Sequence, residues 1–194
     1  MPAHKWTRCF IAFVGMLSAT MIVAQSTQSR PELDVPYVPT TPEAVTAMLR
    51  LADVKATDVV FDLGCGDGRI VIEAAKTFGA RAVGIDIDPV RISEARENAR
   101  KAGVENLVRF EEKDLFHSDI HEATVVTLFL LSSVNLRLRP KLLQDLKPGT
   151  RIVSNTFTMG DWKADKEAKV GDDFAALYLS HNLYLWTVPL RNGN

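Results

Sequence analysis

Three glycines stand at alternate positions in Asp62-Leu63-Gly64-Cys65-Gly66-Asp67-Gly68, opened by an acid, and two further acids follow at Asp86 and Asp114. Glycine has no Cβ to hold a ligand away from the backbone and takes positive φ freely, so this spacing points to a loop that something approaches closely. A tight turn alone accounts for one or two such residues and not for three. A dinucleotide, a phosphate, another stretch of chain or a different nucleoside cofactor would each fit a glycine-rich loop. The dinucleotide fingerprint G-x-G-x-x-G/A, however, needs a small third residue where this chain has Arg69, and no Gly-Lys-Ser/Thr follows to make a P-loop. His117, His121 and His181 lack metal-ligand spacing, so no metal is expected.

Two elements must aim that loop. Val59 to Leu63 is a short β-branched and aromatic run, and Ile70, Val71, Ala74, Ala75 and Phe78 then recur at helical spacing until Gly79 stops them. The unit repeats: Ala82 to Ile87 reads as a strand, Asp88 as an N-cap, Pro89 as a first-turn residue, and Ile92, Ala95, Ala99 and Ala102 as one helix face before Gly103. Upstream, Pro31, Pro36 and Pro39 keep the chain extended, and Thr41 with Pro42 opens a helix over 42–52. Strands are also expected at 107–111, 123–131 and 151–154, the second apolar enough to be buried on both faces. Leu138, Leu142, Leu143 and Leu146 predict a helix with Pro140 in its first turn, and residues 160–173 read as a polar surface loop. Phe174 to Val188 reads as two strands around a turn at Ser180-His181-Asn182, an antiparallel hairpin closing one sheet edge. Strands alternating with helices make an α/β fold with a mostly parallel sheet covered on both faces. Ligands of such sheets bind beyond the carboxyl ends of the strands, where the glycine loop, Asp86 and Asp114 all fall.

The chain of 194 residues is 46% hydrophobic and 24% charged, enough for one well-buried domain. Residues 1–24 start basic with His4, Lys5 and Arg8 and continue apolar from Cys9 to Ala24, which reads as a signal peptide, with an uncleaved membrane anchor as the rival. Residues 25–35 form a polar and then proline-bearing linker, and the domain occupies 36–190. Loss of the leader removes Lys5 and Arg8 from the 23 basic residues, leaving 21 against 24 acids, a net charge of −3. That balance argues against a nucleic-acid partner, which calls for a clustered basic surface. Cys65 then has no second cysteine to pair with.

The acid-led G-x-G-x-G run, together with Asp86 after the second strand and Asp114 after the third, resembles class I, seven-stranded S-adenosylmethionine-dependent methyltransferases, a Rossmann-like fold. The resemblance covers most of residues 36–188. It implies that Asp62, Gly64, Cys65, Gly66 and Gly68 form the cofactor loop, that Asp86 accepts from both ribose hydroxyls and that Asp114 lies beside the adenine amino group. A carboxylate suits a diol because its two oxygens accept in parallel. Pro36-Tyr37-Val38-Pro39-Thr40, the run Asp62 to Val71, and Met159-Gly160-Asp161-Trp162 resemble, more narrowly, the small methyltransferases that modify lysine in ATP synthase subunit c and the adenine nucleotide translocase. That kinship implies Tyr37 and Thr40 near the methionine end of the cofactor, a lysine acceptor, and membrane association through a hydrophobic N-terminal segment.

No catalytic residue is evident, and none is required by the chemistry: an activated methyl donor needs chiefly a nucleophile held in line. Asn135 after the fourth strand, and Asp161 with Trp162 after the fifth, are the candidates for substrate contact. Leu130-Leu131-Ser132-Ser133-Val134-Asn135 departs from the Asn/Asp-Pro-Pro-aromatic sequence of enzymes that methylate base or glutamine amino groups, a second argument against a nucleic-acid acceptor. The acceptor expected is a protein lysine, one in a membrane protein included, with a small molecule as the alternative. A non-catalytic module that kept the fold after export is the reading from another class. An export leader, cleaved or not, carries the domain out of the cytoplasm where S-adenosylmethionine is made. If the segment does not direct export, the domain stays on the cytoplasmic side.

Overall fold

The computed structural model describes residues 37–171 and 181–191. The expectations for residues 1–36 and for the strand arm at 174–180 lie outside them.

Seven strands form one sheet in the order β3-β2-β1-β4-β5-β7-β6, where β1 is Val59–Leu63, β2 Arg81–Asp86, β3 Val108–Glu112, β4 Val125–Leu128, β5 Arg151–Asn155, β6 Lys166–Val170 and β7 His181–Thr187. The first five pair in parallel, while β7 runs antiparallel to both β5 and β6. Helices α1 (Pro42–Leu51), α2 (Arg69–Phe78) and α3 (Pro89–Ala102) cover one face and α4 (Ser132–Asp145) the other. Alternation along β1 feeds both layers: Val60 joins the core under α1 to α3, and Phe61 and Leu63 join the core with Leu138, Leu142 and Trp186.

Local chemistry places the three helices as the spacing predicts. Thr41 Oγ1 accepts from the Ala44 N–H, Asp88 Oδ1 accepts from the Val90 N–H, and Gly79 and Gly103 end α2 and α3 with φ of 68° and 70°.

Two expectations are corrected. The helix assigned from Leu138 onward begins at Ser132, where the Val134 and Asn135 N–H groups donate to the Leu131 carbonyl, so Pro140 lies inside it and not in its first turn. Proline has no N–H for the Leu136 carbonyl, and the buried stripe Val134, Leu138 and Leu142 carries α4 across that missing bond. At the C-terminus, β6 lies in the stretch read as a loop, and His181 and Asn182, read as the turn, belong to β7 opposite Val170 and Lys169. A charged, largely exposed edge strand, Lys166-Glu167-Ala168-Lys169-Val170, lacks the apolar signal of a strand because only one side of it is paired.

Candidate cofactor site at the carboxyl edge of the sheet

The strand order reverses between β1 and β4, and there, beyond their carboxyl ends, lies a cavity of about 280 Å³. Its floor is the loop after β1. The Gly64 and Cys65 N–H groups both donate to the Ile85 carbonyl, at 2.8 and 3.0 Å, and the Gly68 N–H turns back to the Cys65 carbonyl at 2.9 Å. At Gly66 the backbone has φ of 52°, and a Cβ there would stand 2.4 Å from the Tyr37 ring. The loop is therefore flat because two things, the turn and the aromatic ring above it, leave no room for a side chain.

Asp86 anchors this floor. Its Oδ2 accepts from the Gly66 N–H at 2.8 Å and its Oδ1 from the Asp88 N–H at 2.9 Å, which fixes the carboxylate plane while leaving a lone pair on each oxygen for a further donor. Asp114 makes a tighter local set, accepting from the Phe116 N–H at 2.8 Å and standing 2.8 Å from His117 Nδ1. It caps a turn and also lines the cavity.

Asp62 is the anomaly of the site. It is 3% exposed, faces the cavity and accepts one hydrogen bond, from Thr127 Oγ1 at 2.8 Å. Burial pushes its carboxyl up to about 7, the nearby Asp86 adding to the rise. Burial likewise pushes the Cys65 thiol up, so that side chain is a packed wall and no thiolate nucleophile.

Of the residues singled out from sequence, Tyr37, Thr40, Asp62, Gly64, Cys65, Gly66, Asp86 and Asp114 all line this one cavity. Gly68 does not; it lies behind the loop, where a Cβ would meet Phe110 at 2.8 Å and the Ala95 Cβ at 2.9 Å. The substrate candidates lie elsewhere too. Asn135 is fully buried in α4, its Nδ2 reaching Ser154 Oγ and the Phe157 and Thr158 carbonyls at 3.3 to 3.4 Å. Asp161 is an exposed partner of Arg139, and Trp162 packs toward Trp186, whose Nε1 donates to its carbonyl at 2.8 Å. None of the three lines the cavity, although Val134 and Arg137 on either side of Asn135 in α4 do.

Sequence reasoning missed Ile87, Leu115, Phe116, Phe129 and Leu130, which also line the cavity. The signal was available: each lies within four residues of the carboxyl end of β2, β3 or β4, the edge at which such sheets bind ligands.

These residues fit S-adenosylmethionine. A floor without Cβ atoms at Gly64 and Gly66 can take the cofactor against the backbone, Asp86 keeps two acceptors for a ribose diol, and among the described residues no cation stands beside the buried Asp62, a want that a positively charged ligand meets. Apolar Ile87, Leu115 and Phe116 give a nucleobase its slot.

Known proteins agree with that fit. The family model for the ANTKMT methyltransferase domain matches residues 62–166. A protein-lysine N-methyltransferase of Saccharolobus islandicus is 47% identical over 155 residues, 79% of this chain and 94% of that protein. The mouse adenine nucleotide translocase lysine N-methyltransferase is 34% identical over 149 residues, 77% of this chain but 65% of its own greater length. Among solved structures, one described as an RNA methyltransferase from Salinibacter ruber, in complex with S-adenosylhomocysteine, shares 52% identity with a TM-score of 0.74 and covers 81% of this chain and 97% of its own.

Proposed function

This chain belongs to the ANTKMT methyltransferase family and is an S-adenosylmethionine-dependent methyltransferase; from that premise we propose that it methylates the side-chain amine of a protein lysine. The observation that carries the acceptor is the whole-domain likeness to the Saccharolobus protein-lysine enzyme, 47% identical across 94% of that protein. When bound, the cofactor supplies a methyl group already activated as a sulfonium. Asp86 would hold the ribose, Ile87, Leu115, Phe116 and Asp114 the adenine, and the glycine loop with Tyr37 and Thr40 the methionine part.

The chain's own residues then have to bring in an amine without its proton. Val38, Phe129 and Leu130 give the cavity an apolar wall, and taking an ammonium out of water against such a wall favours its neutral form. Arg137 lines the same cavity, and its positive charge acts in the same direction. The apolar run of residues 9–24 supports an acceptor in or at a membrane, reached through that N-terminal segment.

The Salinibacter structure favours a second reading, RNA as acceptor. One labelling experiment separates the two. Incubated with radioactive S-adenosylmethionine and a membrane extract, the full chain should place label in protease-sensitive, ribonuclease-resistant material, and acid hydrolysis should yield methyl-lysine. Label released by ribonuclease would replace the protein reading with RNA, and label confined to small molecules would overturn both.

Asp62 makes the cofactor site pH-sensitive. A carboxyl whose folded pKa is raised above its unfolded value stabilises the fold fully at low pH, and that contribution is lost as pH climbs through about 7. The unliganded protein should therefore lose stability from about pH 4 to 7 relative to Asp62→Asn, and urea midpoints across that range read the difference. A cationic ligand favours the ionised carboxylate, so S-adenosylmethionine affinity should rise from about pH 6 to 8 in the wild type and stay flat in Asp62→Asn. Parallel stability profiles for the two chains would show that Asp62 does not titrate as its burial demands.

A further inference from the structure

We propose that Arg69 is a positioning residue that straps residues 37–40 onto the glycine loop and thereby sets how long the cofactor stays bound. This rests on the cofactor reading of the cavity. Arg69 occupies the place where a dinucleotide loop would require a small residue, and as the first residue of α2 it reaches back over the loop it follows.

One guanidinium makes the whole tie. Its Nη1 donates to the Thr40 carbonyl at 2.6 Å, its Nε and Nη2 to Asp67 Oδ1 and Oδ2 at 2.9 and 2.6 Å, and Nη2 also to the Tyr37 hydroxyl at 3.4 Å. Asp67 lies in the loop between Gly66 and Gly68, so the guanidinium joins loop and strap at both ends of the strap. A planar fork with five donors can serve these acceptors together, which a lysine cannot. The hydrogen bonds to Asp67 push the Arg69 guanidinium up from its ordinary value, keeping the tie charged at any working pH.

The strap needs such a tie. Tyr37 and Val38 are 42% and 55% exposed, so burial holds them weakly, while Pro39 stiffens the segment and lets restraint at its ends act on all of it. At the first of those ends the Tyr37 ring lies on Gly66, with the Arg91 guanidinium 4.5 Å from its centroid. Tyr37, Val38, Pro39 and Thr40 all line the cavity, so releasing the strap opens one wall of it.

The test is S-adenosylhomocysteine binding by calorimetry and stopped flow on the full chain. Arg69→Ala should weaken binding about tenfold, chiefly through faster dissociation. In a Tyr37→Ala background the same change should add less than about threefold, because both act through one strap. Arg69→Lys should also bind at least about threefold more weakly, and it decides the matter if Arg69→Ala fails to fold. Wild-type dissociation rates in either Arg69 variant, or undiminished loss in the Tyr37→Ala background, overturn the proposal. Asp86→Ala, run alongside, keeps the two readings apart: if it abolishes binding while Arg69→Ala does not, the strap alone fails. If wild type and Asp86→Ala bind alike, or the wild type binds nothing, the cofactor reading falls and the strap with it.

Discussion

Asp86→Ala is expected to bind S-adenosylhomocysteine roughly 100- to 1000-fold more weakly than the wild type, a loss of about 3 to 4 kcal/mol. Two effects add. The carboxylate offers a ribose diol two charge-assisted hydrogen bonds, each worth about 1.5 to 3 kcal/mol, and alanine offers none. The same carboxylate also accepts from the Gly66 and Asp88 N–H groups, so its removal frees the glycine loop and the start of α3 at the moment the ligand needs them fixed. Asp86→Asn should fall between, since its amide keeps one acceptor but turns an NH2 toward one of those N–H donors. Calorimetric titration reads the effect, and a thermal melt of the unliganded variants separates it from loss of fold. Binding within about threefold of wild type in Asp86→Ala would remove the ribose role and with it the orientation of the cofactor.

Gly68→Ala should behave in the opposite way, costing stability and leaving the ligand's surroundings alone. The backbone there has φ of 79°, and a Cβ would stand 2.8 Å from two carbons of the Phe110 ring and 2.9 Å from the Ala95 Cβ. Left-handed backbone costs an L-residue about 1 to 2 kcal/mol, and forcing a methyl into a packed core about 1 to 3 kcal/mol. Some relaxation of the ring is open to it, so a net loss of about 2 to 4 kcal/mol is expected in urea unfolding, with S-adenosylhomocysteine affinity of the folded fraction close to wild type. An unchanged urea midpoint with weakened binding would make Gly68 a ligand contact after all. The pair of variants thus divides the glycine-rich motif by function: Gly64 and Gly66 face the cavity, whereas Gly68 lets α2, α3 and β3 close behind it.

That division was not legible in the motif, where the three glycines look alike. What could be read was everything that depends on near neighbours along the chain. Thr41, Asp88, Gly79 and Gly103 cap or end helices through atoms within a few residues, so residue type and spacing suffice to find α1, α2 and α3. The loop after β1 and the acids after β2 and β3 are local features too, and a parallel sheet brings its carboxyl ends to one edge whatever the details.

What the sequence did not show has a common cause. Asn135 was expected on the cofactor rim because it follows β4, yet α4 starts at Ser132 and turns Asn135 inward to hold the Phe157 and Thr158 carbonyls. β6 reads as a loop because its Lys and Glu face water, and it becomes a strand only by pairing with β7. The Arg69 strap joins residues 29 and 32 positions apart. The sequence by itself determined α1, α2 and α3, the glycine loop and the line of acids, because short-range sterics and hydrogen bonding act between adjacent residues, and the methyl donor followed from the family those residues resemble. Only the tertiary structure decided which side of the loop each glycine faces, which side chains share the cavity and what holds its wall, because those contacts form between segments whose separation along the chain carries no local mark.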